Sequence, residues 1–326
     1  MQIIKLTREN EQATRNLFNG VAQCEVVYKK LNEIRFCQQF IIEGPDISKV
    51  NFIAIERNSV VGFANASYNS DVNVGYITFI VVDKQNRRRG IGRALMEKLQ
   101  DELYSLSNNT LERYDVTFFN PINLEWCVPN TQGHDHPNAP GVDVSSDGYM
   151  FLKNCGYRDT VYQNSFYQSL ENYKLSSKIK ERIESLKQQD ITITFYDKNK
   201  HFGLDELFTD LGNEQWREII ISNVTKPGGG YPVLIAEHKG NVVGFTGPLY
   251  AQSSGRGYFA GIGVHSEYRN FGLGKALFSS LCTSLKDLGA DFMTLFTGET
   301  NPARNIYETS GFKIVKTWAD MQYEIK

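Results

Sequence analysis

Two short glycine-containing turns in this chain have the residue types that bind a phosphate group. The first is Arg87-Arg88-Arg89-Gly90-Ile91-Gly92, which follows a strand-like apolar segment and precedes a helix-like one. Glycines permit a tight turn and keep side chains out of a ligand's path. The unpaired N–H groups of a helix's first turn attract an anion, so this turn predicts a cradle for a diphosphate. The expected contact residues are Val82, Arg87, Arg88, Arg89, Gly90, Ile91, Gly92 and Arg93.

The second turn repeats the first at a constant distance along the chain. It begins 182 residues after Arg87 and continues to a basic residue, giving Arg269, Asn270, Phe271, Gly272, Leu273, Gly274 and Lys275. The hairpin-like segments 53–54 and 60–63 recur at the same offset as 235–236 and 242–245. A duplicated hairpin, turn and glycine motif indicates one domain written twice, in which each copy has its own anion-binding turn.

Motifs and composition exclude several other classes of protein. Neither G-x-G-x-x-G nor G-x-x-x-x-G-K-[ST] occurs, so the turns differ from dinucleotide and nucleoside triphosphate sites. A formal net charge of -2 gives no attraction to nucleic acid or anionic lipid, and no run of about 20 apolar residues is present. No nucleic-acid or membrane partner is therefore expected. The first residues lack a signal-peptide core, and 5 cysteines without C-x-x-C spacing suit a reducing compartment, so a cytoplasmic location is expected.

Strand-like and helix-like segments alternate in both copies, which predicts an α/β architecture. The strands expected in the first copy are 3–6, 52–56, 60–68 and 75–83, and those in the second are 191–196, 233–237, 242–246 and 258–264. The helices expected before the turns are 9–19, 23–43, 204–211 and 215–224. The helices after the turns should face the sheets with Ile91, Leu95, Leu99 and Leu103, and with Leu273, Leu277, Leu281, Leu285 and Leu288.

A helical segment at 176–189 separates the copies, and the sequence leaves open whether it belongs to either domain or packs between them. The expected organisation is an N-terminal domain at 1–170 with an inserted loop at about 122–147. A helical linker at 171–189 and a C-terminal domain at 190–326 follow.

At these turns the chain resembles the GNAT superfamily of acyltransferases. The family's [Gln/Arg]-x-x-Gly-x-[Gly/Ala] motif holds the diphosphate of acetyl-CoA and matches both turns. A second family motif, an Asn before a helix that ends in Tyr-x-x-x-Gly-Phe, matches Asn301 and the segment Tyr307-Glu308-Thr309-Ser310-Gly311-Phe312. The resemblance implies two tandem GNAT folds of the α/β class. Each would be a mixed, mostly antiparallel, splayed sheet flanked by helices, with the thioester in the split.

The resemblance also implies direct transfer of an acetyl group from acetyl-CoA to an amine. Backbone N–H groups near Gly263 and Val264 would polarise the thioester carbonyl. Tyr307 would protonate the departing thiolate, and Asn301 would hold the pantetheine arm or a water. Neither central strand contains a carboxylate, so Glu299 is the candidate general base, with a water relay as the alternative.

The first copy departs from this pattern after Asn120. It takes 36 residues to reach Gly156, whereas 10 separate Asn301 from Gly311, and Leu152 stands where the second copy has its tyrosine. The extra loop contains His134, Asp135, His136 and Asp143. Three interpretations are open: these residues line an acceptor pocket, they bind a metal, or they hydrogen-bond the loop to itself. The spacing supplies no third metal ligand, so no metal is expected.

The sequence therefore predicts an acetyl-CoA-dependent N-acetyltransferase that modifies a primary amine in its C-terminal domain. The N-terminal domain would be a degenerate copy that can still hold CoA. One alternative is a non-catalytic module that binds or senses acyl-CoA, and another places catalysis in the N-terminal domain with the His134 loop. The expected partner is a small-molecule amine, and the chain is expected to be a monomer or a homodimer.

Overall fold

A computed structural model of the chain describes residues 1–24, 28–42 and 47–325. Its contacts divide the chain into two compact units. The N-terminal unit comprises Met1–Asn164 together with Lys316–Lys326, and the C-terminal unit comprises Ser165–Val315. The boundaries expected from the repeat follow sequence order, whereas this grouping follows contacts and moves the end of the chain into the first unit.

The first half of the chain contains most of the N-terminal unit. Its strands are β1 Gln2–Lys5, β2 Ile47–Glu56, β3 Ser59–Asn69, β4 Val74–Val82, β5 Arg113–Val116, β6 Trp126–Cys127, β7 Asp135–His136, β8 Val142–Asp143 and β9 Arg158–Ser169. Its α-helices are α1 Glu11–Cys24, α2 Glu33–Phe36, α3 Ile91–Leu106 and α4 Asp147–Asn154. Shorter helical turns are Arg8–Asn10 and Lys84–Asn86 of 3-10 type and Cys37–Ile41 of π type.

The second half contains most of the C-terminal unit. Its strands are β10 Ile191–Phe195, β11 Leu234–His238, β12 Asn241–Thr246, β13 Ile262–Val264, β14 Phe292–Gly298 and β15 Lys313–Glu324. Its α-helices are α5 Ser177–Lys187, α6 Leu204–Leu211, α7 Glu214–Val224, α8 Leu273–Asp287 and α9 Arg304–Thr309, with a 3-10 turn at Ser266–Tyr268. Within the described ranges, no helix has both the length and the apolar character needed to cross a bilayer.

The sheet of the N-terminal unit splits in its middle. Strands β1 to β4 are antiparallel neighbours, and β4 pairs in parallel with β5 only at Gly75–Tyr114 and Tyr76–Asp115. Beyond these two pairs β4 and β5 separate. The strand on the other side of β5 is β15, which pairs with it in antiparallel fashion, and β9 follows β15. The predicted α/β class and splayed sheet are confirmed.

Helix α3 covers one face of this sheet. Its stripe of Ile91, Leu95, Leu99 and Leu103 is at most 2% exposed and packs against Ala54, Ala64 and Ala66 of β2 and β3. The opposite face packs against α1 and α2 through a cluster of phenylalanines, namely Phe18, Phe36, Phe40, Phe63 and Phe79. The helical stripe predicted from the sequence is confirmed here.

The C-terminal unit repeats this plan with a more open split. Strands β10 to β13 form an antiparallel sheet, and β14 lies beside β9 rather than beside β13. Before the split, a single parallel bridge joins Arg256 to Phe292. Leu273, Leu277, Leu281 and Leu285 are buried as predicted, whereas Leu288 follows the last helical turn and is 46% exposed. Helix α5 packs on α8 and β10, so the predicted linker helix is part of this unit.

Two expected elements are shorter than their sequence patterns indicated. The strand predicted over 258–264 is confined to Ile262–Val264, because β12 ends at Thr246 before a proline, which has no N–H for further pairing. In the helix predicted over 23–43, Tyr28 instead forms a bridge to Trp126 and α2 begins at Glu33. Residues 25–27 and 43 of that prediction lie outside the described part of the chain.

Candidate functional site

The turn predicted to hold a phosphate in the N-terminal unit has the required backbone shape. Gly90 caps α3 with a φ of 83°, and Arg88 also has a positive φ of 61°. The Arg87 Nε atom donates to the Val82 carbonyl at 3.0 Å, which fastens the turn to the end of β4. No atom lies within 4 Å of the position that a Cβ of Gly90 would take. The first-turn N–H groups of α3 therefore face open space, as an anion site requires.

The second turn reproduces this geometry at the same offset. Gly272 caps α8 with a φ of 74°, and Asn270 has a φ of 71°. The Arg269 Nε atom donates to the Val264 carbonyl at 3.2 Å. The structure thus brings each predicted set of cofactor-binding residues together around its own helix N-terminus.

The cationic side chains around the first turn differ in whether they are paired with a carboxylate. Arg89 makes two hydrogen bonds of 2.7 Å to the Glu56 carboxylate, which lower the pKa of Glu56. Arg87 forms a longer ion pair of 3.5 Å with Asp147. Arg88 and Arg93 are exposed beside the turn. Arg88 and Arg93 are therefore the side chains best placed to meet a phosphate here, while Arg89 braces the turn against the β2–β3 hairpin.

A cation that the sequence motif did not include lies over the second turn. The Nε atom of Arg182, in α5, is 2.9 Å from the position that a Cβ of Gly272 would take. Nothing occupies the corresponding space at Gly90. Arg182 is far from the motif in sequence, so the only available signal was its place on the helical segment between the copies.

Tyr307 lies in α9 behind the second turn, as the resemblance implied. It is 5% exposed, and its ring contacts those of Phe166, Phe259 and Phe278 with centroids 5.0 to 6.3 Å apart. Burial raises the pKa of the Tyr307 phenol to about 12. A phenol with this pKa stays protonated near neutral pH and can donate a proton or hydrogen bond.

The corresponding helix of the first unit confirms that the phenol has no counterpart there. Phe151 of α4 lies 3.3 Å from the Cβ position of Gly92, and Ile306 of α9 lies 3.2 Å from that of Gly274. The residue after each of these is Leu152 in the first unit and Tyr307 in the second.

Asn301 and Glu299 occupy the turn before α9. The Asn301 side chain accepts a hydrogen bond of 2.9 Å from the Ala303 N–H, so it stabilises the start of the helix. Glu299 is exposed, and its carbonyl accepts a hydrogen bond from Arg304. Their assignments as catalytic residues stay predictions.

The inserted loop of the N-terminal unit is held by many contacts of its own. Asp135 forms an ion pair with Lys29, and buried His136 stacks on Trp126 while its Nδ1 atom lies 2.9 Å from the Asn138 carbonyl oxygen. Asp143 forms an ion pair with Lys316 of β15. Among residues 1–24, 28–42 and 47–325, no three His, Cys, Asp or Glu side chains are grouped so that they could hold a metal ion.

Two adjoining cavities lie beside this loop, and the smaller one reaches the split sheet. The larger, of about 220 Å³, is lined by polar side chains that include Arg35, Gln38, Gln39, Asn123 and Glu125. The smaller, of about 20 Å³, is lined by residues of the β4–β5 split and of the loop, among them Thr78, Thr117, Asn120 and Gly141. Tyr28 and Leu124 border both cavities. The N-terminal unit therefore has space for a small second ligand beside its split.

In the C-terminal unit, side chains from α6 and α7 cover the equivalent face of β13. A Cβ on Gly261 would collide with the Trp216 ring, and one on Gly263 would collide with Leu211. The Trp216 Nε1 atom donates to the Ala260 carbonyl at 3.1 Å. This face is therefore packed with the unit's own residues.

Comparison with known proteins agrees with this geometry. The sequence profile of the Acetyltransferase (GNAT) family matches residues 15–121 and 189–312, which include both glycine turns. No curated protein matches the chain significantly in sequence.

Solved structures share the tandem arrangement. A tandem GNAT protein from the clavulanic acid biosynthesis pathway is 14% identical with a TM-score of 0.59, covering 99% of this chain and 98% of its own. A GCN5-related N-acetyltransferase from Sphaerobacter thermophilus is 14% identical with a TM-score of 0.63, covering 100% of this chain and 96% of its own.

A third solved structure contains a GCN5-related glucosamine N-acetyltransferase region of a fungal multi-domain GH3 β-N-acetylglucosaminidase. It is 13% identical with a TM-score of 0.66, covering 99% of this chain, which spans 38% of that protein's length. These likenesses establish two tandem GNAT folds. Because the family profile matches most of the chain and both matches include a glycine turn, the chain belongs to the GNAT acetyltransferase family.

Proposed function

We propose that this protein is an acetyl-CoA-dependent N-acetyltransferase in which a primary amine attacks the thioester directly. The observation that carries the proposal is the duplicated cradle, in which an arginine fastened to a strand end precedes a left-handed residue and a glycine helix cap. Each cradle offers first-turn N–H groups and cationic side chains that suit the diphosphate of CoA. Acetyl-CoA is thus the proposed co-substrate, and no metal takes part.

The N-terminal unit is the reaction centre that the geometry favours. An acyl transfer needs room for the acceptor beside the split, and this unit has a small cavity there that adjoins a larger one. It lacks a phenol at Leu152, but a thiol pKa near 8.5 makes the CoA thiolate a tolerable leaving group without an acid. A primary amine, with a pKa near 10, is protonated at neutral pH and must lose a proton before it attacks. The reaction therefore depends more on the site that receives the amine than on an acid for the thiolate.

The C-terminal unit is the second candidate reaction centre, and it is the one predicted from the sequence. Buried Tyr307, with its raised pKa, favours it as the source of a proton for the thiolate. Trp216 and Leu211 fill the face of β13 in this unit, but Phe79 of β4 fills the equivalent face in the N-terminal unit, so this packing does not separate the two candidates. In the favoured scheme this unit holds CoA without turning it over.

The proposed acceptor is a small polar primary amine. A cavity of about 220 Å³ is smaller than the roughly 300–1,000 Å³ typical of drug-sized ligands. Its amide and charged side chains, among them Gln38, Gln39 and Asn123, suit hydroxyl or amide groups better than an aromatic ring. Amino sugars belong to this class, and one structurally similar protein is described as a glucosamine N-acetyltransferase.

The test combines a CoA-release assay with calorimetry. Purified protein is incubated with acetyl-CoA and a panel of amino sugars, polyamines, amino acids and arylamines, and free thiol is measured. We expect release with a polar amine, and two CoA molecules bound per chain. Binding of CoA without release from any amine would support the alternative of a sensing module, and no binding at all would refute the proposal.

Matched cradle variants assign the reaction centre. Gly90→Asp and Gly272→Asp each place a carboxylate where the diphosphate should lie, and aspartate tolerates the left-handed backbone better than most residues. Each variant should bind one CoA instead of two. Turnover should be lost in Gly90→Asp, whereas loss in Gly272→Asp alone, or a large loss in Tyr307→Phe, would assign the chemistry to the C-terminal unit.

A further inference from the structure

Buried polar side chains extend across one face of the sheet in the N-terminal unit. Asn65 and Ser67 of β3 are fully buried, and Asp115 of β5 and Asp320 of β15 are nearly so. Their chain neighbours, such as Ala64, Ala66, Val116 and Met321, pack into the cluster beneath α3. Because side chains alternate along a strand, the polar groups face the opposite side, toward α1, α2 and the inserted loop.

Some atoms of this polar face have no hydrogen-bond partner. Among the described residues, buried side-chain atoms without a partner include Asn65 Oδ1, Ser67 Oγ and Asp320 Oδ1. Buried polar groups in native proteins are normally paired, and an unpaired carboxylate oxygen is the costliest of these three. The Asp320 oxygen is therefore the strongest indication that a ligand supplies a donor at this place.

Asp320 lies next to two residues that line the small cavity. Thr117 donates a hydrogen bond to its carboxylate, and the unpaired Oδ1 atom lies 3.1 Å from the position that a Cβ of Gly141 would take. Thr117 and Gly141 both line the cavity of about 20 Å³. That volume accommodates about one water molecule, and an ammonium group is of similar size.

We propose that Asp320 receives the acceptor's ammonium group in the N-terminal unit and acts as the general base of acyl transfer. The inference rests on the proposed function with the N-terminal unit as its reaction centre. The amine would enter the small cavity, and the body of the acceptor would lie in the adjoining larger one.

Every proton and bond in this step is accounted for. One ammonium proton passes to Asp320, and the neutral amine forms a C–N bond with the thioester carbon. The C–S bond then breaks, and the thiolate takes the second proton lost from nitrogen as the amide forms. Asp320 releases its proton to water. The net products are the N-acetylated amine, CoA and one proton.

The surroundings of Asp320 suit a base that works near neutral pH. Burial raises the pKa of Asp320 to about 6, hydrogen bonds from Gln163 and Thr117 oppose this, and the charge of Asp115 adds to it. Asp115 is the charged group that faces it from β5, while β9 presents the uncharged Gln163. Unlike Asp320, Asp115 is hydrogen-bonded by both Arg113 and Gln322. It is therefore a matched control, a buried carboxylate of the same face whose charge is already paired.

The test compares Asp320→Asn with Asp115→Asn, using the polar amine identified by the CoA-release screen. With the amine limiting, kcat/KM of the unmodified protein should fall below an apparent pKa of about 6. Asp320→Asn should lower kcat/KM at pH 7 by about 10²–10⁴-fold. It should also abolish the fall of kcat/KM at low pH, which is the acidic limb of the pH profile. Asp115→Asn should keep the limb but move it to lower pH, because the Asp115 charge raises the pKa of Asp320. Both variants should still bind two CoA molecules.

A second variant keeps the inference testable if Asp320→Asn folds poorly. Thr117→Val removes a hydrogen bond that lowers the pKa of Asp320, so the acidic limb should move to higher pH. Full activity of Asp320→Asn with an unchanged limb would overturn the inference while leaving the proposed function intact. Activity that depends on the C-terminal cradle alone, or no CoA release with any amine, would overturn it as well, and only the last result would also remove the proposed function.

Discussion

At the scale of single residues, the proposed base and the proposed acid lie in different copies. The N-terminal unit contains buried Asp320 and has Leu152 where the other unit has a phenol. The C-terminal unit contains buried Tyr307 but has exposed Glu299 as its nearest predicted base. Burial shifts both pKa values upward, which leaves the aspartate near neutrality and the tyrosine protonated. The environment, more than the residue type, decides which group can move a proton at neutral pH.

Asp320 should make the folded protein less stable as pH rises. Because its folded pKa of about 6 exceeds the ordinary value of 3.8, the native state holds a proton that the unfolded state releases. Its contribution is therefore favourable below pH 4 and is lost between about pH 4 and 6. Asp320→Asn should be more stable than the unmodified protein by up to about 3 kcal/mol at pH 7.5 but by only about 1 kcal/mol at pH 4.5.

Chemical denaturation at several pH values measures this difference. Asp159→Asn is a control of opposite sign, since hydrogen bonds from Lys153, Tyr149 and Tyr162 outweigh burial and lower the pKa of Asp159. It should lose stability at pH 7.5. If Asp320→Asn were destabilised equally at both pH values, the raised pKa would be wrong.

At the scale of elements, helix α5, which links the copies, adds a residue to the proposed cofactor site of the C-terminal unit. Ser176 caps it by accepting from the Ile179 N–H, and its buried Ile179 and Leu186 pack it within the C-terminal unit. This packing places the Arg182 Nε atom 2.9 Å from the position that a Cβ of Gly272 would take. The two cradles thus share a backbone but differ in the cations around them.

Arg182 should strengthen CoA binding in the C-terminal unit alone. Arg182→Ala removes a cation beside the diphosphate, and charge-assisted hydrogen bonds contribute about 1.5–3 kcal/mol each. We expect the affinity of one of the two calorimetric sites to fall about 10-fold or more, with the other unchanged. Lys180→Ala, on the same exposed helix, is the control and should alter neither site. Equal weakening of both sites would contradict this role.

At the scale of the whole molecule, each unit includes a strand from the other half of the chain. β15 completes the sheet of the N-terminal unit beside β5, and β9 lies beside β14 of the C-terminal unit. The proposed base follows from this exchange, because Asp320 lies on β15 and its neighbour Thr117 follows β5. The N-terminal reaction centre is therefore incomplete without the last strand of the chain.

Separating the halves should prevent both from folding. Fragments 1–189 and 190–326 each retain a cradle, but the first lacks β15, and the second lacks β9 and helix α5. Expressed alone they should show no cooperative thermal unfolding and should not bind CoA, since an exposed sheet edge and core are left uncovered. Expressed together they should copurify and recover CoA binding. A separate fragment that melts cooperatively and binds CoA would show that the exchange is dispensable.

The sequence alone determined the features that depend on short stretches of chain. Periodicity marked the helical stripes, and the glycine spacing predicted both cradles, because a tight turn and a helix cap are set by a few consecutive residues. The constant offset between copies revealed the duplication and, with the motifs, the family.

Tertiary structure alone decided what meets across long separations. Nothing in the local pattern indicated that β15 would join β5, that Arg182 would reach Gly272, or that Trp216 would cover Gly261. The only indication of the proposed base in the sequence was the single charged residue in the apolar run Trp318-Ala319-Asp320-Met321. Strand pairing and side-chain packing depend on the whole folded chain, so the sequence could predict where CoA binds but not which residues would meet the amine.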